Sequence, residues 1–114
     1  MSDAYENFQE GRRRLRAGQT AQATVSLEKA RRAEPDKASI REALGIAYFR
    51  LRRWEEAEAE FRAVLEISPV NDYAHYALGR CLDKLGRDTE AQGHYKLARS
   101  LRPGERRYEA HVRE

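Results

Sequence analysis

The chain has 114 residues, 36% charged and 40% apolar, and its 22 Lys plus Arg against 19 Asp plus Glu leave a net charge of +3. No apolar run reaches the roughly 18 residues a membrane span needs, and acids stand in Met1–Gln9 where a secretory leader would carry basic residues; a soluble cytoplasmic domain is expected. One cysteine, Cys81, excludes an internal disulfide, and three dispersed histidines lack the spacing of a zinc site, so no metal or cofactor is expected.

Ala, Leu, Arg and Glu dominate the chain as they do helical proteins. At the front, Asp3 followed three positions later by Glu6 reads as a capping box that opens a helix. Ala17-Gly18-Gln19 then forms a short turn, and Pro35 closes the second helix, with Asp36 as a cap for the next. In the middle stretch Ala43, Leu44, Ala47, Tyr48 and Leu51 fall at helical spacing. After the turn at Arg52-Arg53, Ala57, Phe61, Val64 and Leu65 do the same, so two amphipathic helices face each other. Pro69 ends that pair and Asn71 caps the following helix; Gly86-Arg87 makes the next turn and Pro103 the next stop. Residues 105–114 read as a seventh, capping helix that docks Tyr108 and Val112 onto the preceding helix, with Arg113 facing solvent.

These elements repeat. Gly11, Gly45 and Gly79 are 34 positions apart, as are Ala23, Ala57 and Ala91, and Pro35, Pro69 and Pro103. Large residues Leu27, Phe61 and Tyr95 share the period, and so do Ala30, Val64 and Ala98. Glycine inside a helix costs roughly 1 kcal/mol against alanine, so three glycines in one column imply close helix crossing, opposite the small Ala57 column.

A period of 34 with Leu44-Gly45, Tyr48, Ala57, Phe61 and Pro69 in the middle unit resembles the tetratricopeptide repeat. Repeats 4–37, 38–71 and 72–105 with the capping helix at 105–114 give one domain over 1–114. The resemblance implies an all-α fold: a right-handed superhelical solenoid of three antiparallel helix pairs closed by the seventh helix. Arg14 replaces the Tyr48 and Leu82 of the later repeats, as suits a terminal repeat with a partly solvated face.

The resemblance also implies that the first helix of each pair lines a concave groove that binds protein segments. Carried onto this chain, the groove columns hold Tyr5, Phe8, Arg12, Leu15 and Arg16, then Glu42, Ile46, Phe49 and Arg50, then Tyr73, Tyr76, Arg80, Asp83 and Lys84. Five of these are cationic and two anionic, so the groove carries the whole net charge of the chain. Rigid aromatic area beside bidentate arginines suits an acidic segment with apolar anchors, which makes the expected function that of a protein-interaction adaptor or scaffold. The competing view is that the aromatics only pack between repeats and the arginines pair with glutamates. A branch of the family clamps the C-terminal carboxylate of heat-shock chaperones, but the corresponding positions here are Phe8, Arg12, Ala43, Tyr73 and Ala77, of which only Arg12 binds an anion.

Catalysis finds no support. Ser2, Ser26, Ser39, Ser68 and Ser100 lack a nucleophile motif, and Cys81 shares a column with Ala47, as a small buried residue would. Arg12-Arg13-Arg14 and the groove tyrosines make single-stranded nucleic acid the rival partner, although consecutive helical arginines point in different directions and 19 acids dilute the field. A weak homodimer through the solenoid ends is the third reading.

Overall fold

Prolines and left-handed residues interrupt an otherwise helix-favouring composition at regular intervals, and the helix ends fall at those interruptions. A computed structural model describes residues 3–114; Met1 and Ser2, which open the expected domain, lie outside the described residues. Among the described residues seven helices follow one another: α1 (Ala4–Arg16), α2 (Thr20–Ala33), α3 (Ala38–Arg50), α4 (Trp54–Ile67), α5 (Asp72–Lys84), α6 (Asp88–Leu101) and α7 (Arg106–His111). No strand occurs among the described residues. The pairs α1/α2, α3/α4 and α5/α6 stack into an all-α solenoid of 50 × 24 × 21 Å, each pair packing on its neighbours.

Within each pair the turn has one geometry. Gly18, Arg52 and Gly86, 34 positions apart, adopt φ of 79°, 62° and 78°. The amide of the next residue reaches back to the last helical turn: Gln19 to the Arg14 carbonyl, Arg53 to that of Tyr48 and Arg87 to that of Leu82, at 2.8–2.9 Å. This left-handed closure satisfies carbonyls that the helix end would otherwise strand.

The glycine column lets the two helices of a pair touch. A Cβ on Gly11 would lie 2.5 Å from Leu27 Cγ, one on Gly45 2.7 Å from Phe61 Cζ, and one on Gly79 2.6 Å from Tyr95 Cε1. Leu27, Phe61 and Tyr95 are in turn buried to 1% exposure or less and anchor one continuous core with Leu44, Leu78 and Leu82.

Polar groups join pair to pair. Buried Glu60 on α4 accepts from Arg31 of α2 and, at 3.2 Å, from Arg41 of α3, whose Nε also donates to the Pro35 carbonyl at 2.8 Å. In the next repeat the same columns hold His75 and His94. His75 Nε2 lies 2.8 Å from the Pro69 carbonyl, which can only accept, so Nδ1 of His75 accepts from Nδ1–H of His94 at 3.1 Å. Burial, then His75 and Arg62, hold the His94 imidazole below its ordinary pKa. Outside, Arg62 and Arg87 each pair with both Glu58 and Glu90, linking α4 to α6.

Three local expectations are corrected. The Asp3 side chain makes no cap hydrogen bond to α1; the Asp3 carbonyl receives the Asn7 amide and Asn7 Nδ2 instead, both at 2.9 Å. The cap of each later pair sits two residues past the proline. Lys37, not Asp36, therefore precedes α3, while Asn71 accepts from the Ala74 amide at 2.9 Å and Glu105 from that of Arg107 at 3.1 Å. The capping helix is six residues long, Arg106–His111, rather than extending to 114. Gln92 ends it: its side-chain amide donates to the His111 carbonyl at 2.9 Å and accepts from the Arg113 amide at 2.7 Å, drawing Val112 into extended backbone. Tyr108 docks on the first helix of the third pair as well, 5.1 Å from the Tyr76 ring, with its hydroxyl donating to Asp72 Oδ2 at 2.7 Å.

Candidate functional site

The first helices of successive pairs lie side by side, so residues at i, i+4, i+7 and i+8 on each form one facing stripe. Glu42, Ile46, Phe49 and Arg50 make that stripe on α3. On its α5 side, Ile46, Phe49, Phe61, Tyr73 and Tyr76 wall a cleft of about 190 Å³ with Arg50 and Arg80. On its α1 side, Phe8, Arg12, Leu15, Arg16 and Glu42 line a broader cleft of about 510 Å³. Ile46 and Arg50 border both and form the ridge between them.

Many of the chain's arginines are matched to carboxylates. Arg13, Arg14, Arg31, Arg41, Arg53, Arg62, Arg87 and Arg99 each pair with a glutamate. Among the described residues, Arg12, Arg16, Arg50, Arg80 and Lys84 form no ion pair. Four of these five touch aromatic faces or neutral oxygens instead. Arg12 lies over Phe8 at 5.4 Å, Arg80 over Phe49 at 5.2 Å and Lys84 over Trp54 at 5.4 Å. Arg80 donates to the Tyr76 hydroxyl at 3.2 Å and Arg50 to the Leu15 carbonyl at 3.3 Å. These contacts hold the guanidiniums in place and leave their charge uncompensated.

The stripe also holds two acids, Glu42 and Asp83. Burial, and then the neighbouring Asp72 carboxylate, raise the pKa of Glu42. Asp83 turns toward the core, where Oδ2 accepts from the Tyr95 hydroxyl at 2.7 Å and Oδ1 is buried without a hydrogen-bond partner. Burial, then Glu42, raise the Tyr73 phenol, which keeps its proton as a donor at neutral pH.

Phe8, Arg12, Arg16, Glu42, Ile46, Phe49, Arg50, Tyr73, Tyr76 and Arg80 all border one or both clefts. Tyr5 does not: it is 73% exposed beside a shallow depression with Glu34, Lys37 and Ile40. Lys84 sits past the clefts on Trp54. Two residues outside the expected set belong to this surface. Trp54, at the start of α4, packs edge-on against Phe49 at 4.9 Å; it lies on a second helix, which the groove columns leave out. Arg107 of α7 stands over Tyr73 and Tyr76 at 5.9 and 5.5 Å; its signal was its place 34 positions after Tyr73.

Cys81 is fully buried, and burial pushes its thiol up to about 12, so it is no nucleophile at neutral pH. No cluster of three or more potential metal ligands occurs among the described residues, and no described helix is long and apolar enough to cross a membrane.

A family model described as tetratricopeptide repeat matches residues 8–72. Superkiller complex protein 3 of Mus musculus is 34% identical over 83 residues, and the Homo sapiens protein 31%. That match takes in 73% of this chain and only 5% of the mouse or human protein, so the chain spans a small part of these relatives. Among solved structures, a MamA structure (MSR-1 C2) is similar at TM-score 0.89 and 29% identity over 97% of this chain and 64% of that one. The first repeat domain of Spaghetti (RPAP3), bound to the HSP90 peptide SRMEEVD, is similar at TM-score 0.91 and 20% identity over 96% and 86%. YrrB, described as having an unusual peptide-binding site, gives 0.91 and 19% over 96% and 57%.

Proposed function

The chain belongs to the tetratricopeptide repeat family, and on that premise we propose that it is a non-catalytic adaptor of the cytoplasm whose concave groove holds an acidic protein segment with apolar anchors. The observation that carries this reading is the gathering of four unpaired arginines along two adjoining clefts. Among the described residues, Arg12, Arg16, Arg50 and Arg80 line these clefts without a carboxylate partner, while Arg31, Arg62 and Arg87 are matched to glutamates; Arg32, Arg52, Arg106 and Arg113 likewise form no ion pair but line neither cleft. Preorganised cations beside rigid aromatic walls favour a ligand that brings both carboxylates and apolar side chains. Peptide binding by neighbours of the fold supports the same class of partner; the Spaghetti ligand SRMEEVD carries three acids.

The test is capture of a pool of peptides with a central leucine and glutamate flanks. Charge reversal by Arg50→Glu with Arg80→Glu should abolish capture with the helical circular dichroism unchanged. Retention of full capture would remove the groove as the binding face.

A further inference from the structure

We infer that the capping helix is a working part of the groove, with Arg107 acting beside Arg50 and Arg80 as a third cation around the α3/α5 cleft, where it receives a carboxylate next to the ligand's apolar anchor. This rests on the groove reading above and sharpens it.

The placement of Arg107 is built from several sides. Glu105 caps α7 through the Arg107 amide at 3.1 Å. Tyr108, the next residue, is 1% exposed and tied to Asp72 on α5. His111, one turn on, packs against Tyr76 and Tyr95 with ring centroids 5.2 and 5.0 Å away. A six-residue helix has little stability alone, but these contacts fix its position relative to α5. The Arg107 side chain therefore projects over Tyr73, Tyr76 and Tyr108 at 5.5–5.9 Å. Tyr73 and Tyr76 are walls of the α3/α5 cleft, and Arg50 and Arg80 stand at that same cleft.

Arg107 is available to a ligand. Its one carboxylate contact is Glu105, 3.5 Å away at a single pair of atoms, with the arginine side chain 56% exposed. A ligand carboxylate with two parallel hydrogen bonds makes a stronger pair than that. No acid lines the α3/α5 cleft, so an incoming carboxylate meets no like charge at its wall.

The occupant that fits is an extended segment with one aliphatic or single-ring side chain in the cleft of about 190 Å³, flanked on both sides by acids. The acid toward α7 meets Arg107, and the acid toward α1 meets Arg50. A ligand read only by the three helix pairs would need no acid on the α7 side.

Fluorescence anisotropy on the full chain separates these cases, using two labelled nine-residue pools with a central leucine, one flanked by glutamates and one by glutamines. The wild-type protein should prefer the glutamate pool, and Arg107→Gln should reduce that preference about tenfold while leaving the glutamine pool unchanged. Arg107→Lys should retain part of it. Arg107→Met, which keeps the aliphatic packing over the tyrosines, should lose it as Arg107→Gln does, so that a packing defect is not mistaken for lost charge; melting curves of all variants confirm the fold. If the wild type prefers glutamate and both neutral variants keep the full preference, the capping helix is only structural and the groove reading survives. If the wild type shows no preference, the groove reading itself fails.

Discussion

Arg52 holds a φ of 62° in a position where Gly18 and Gly86 hold 79° and 78°. A Cβ in the left-handed region crowds the following carbonyl and costs about 1–2 kcal/mol, part of which glycine would return as lost chain entropy. Arg52→Gly should therefore stabilise the protein by about 0.5–1 kcal/mol, read as a raised midpoint in urea unfolding; a lowered midpoint would show that the Arg52 side chain makes a contribution larger than its backbone strain. The glycines at 18 and 86 were legible as turns from their spacing. The need for a left-handed residue at 52 was not, because Arg52-Arg53 carries no turn chemistry and only the equivalence to positions 18 and 86 exposes it. His75 and His94 were similarly opaque. They read as dispersed histidines, yet they occupy the columns of Arg41 and Glu60 and replace an ion pair with an imidazole pair anchored to the same proline carbonyl column.

At the scale of elements, close approach between the two helices of a pair depends on the glycine column. Tyr95 faces Gly79, is fully buried, and is pinned by its hydroxyl bond to Asp83, so its ring has no room to withdraw from an added methyl. Gly79→Ala should destabilise by about 1–3 kcal/mol, overriding the roughly 1 kcal/mol that alanine contributes in an unconstrained helix. Thermal unfolding measures this; a stabilised variant would mean that the pair opens without loss. The helices and their crossing were readable because three columns of small residues demand them. The end of α7 was not, because Gln92, nineteen or more residues away in the chain, supplies the hydrogen bonds that unwind Val112. Helix caps were misread at Asp36 for a related reason. A good capping residue one position early lies in the proline turn, whereas Asn71 and Glu105 occupy the position from which a side chain reaches the first helical amides.

For the whole molecule, stacking is what brings the separate stripes together along adjoining clefts. Arg12 and Arg16 on α1, Arg50 on α3 and Arg80 on α5 come from three repeats, and the solenoid lines them along adjoining clefts. The sequence columns located most of these side chains because the repeat period maps directly onto helix faces. They could not show which arginines lack a partner, since pairing across repeats, such as Arg87 with Glu58 or Arg31 with Glu60, depends on side-chain reach. Nor could they show that Tyr5 stands apart on the terminal repeat or that Arg107 and Trp54 join the surface from a cap and a second helix. On the proposed reading acidic segments dock on the face formed by α1, α3 and α5, and backbone amide shift mapping with a leucine-centred, glutamate-flanked peptide locates that contact residue by residue. The largest shifts should fall on α1, α3, α5 and α7, whereas shifts confined to α2, α4 and α6 would contradict it.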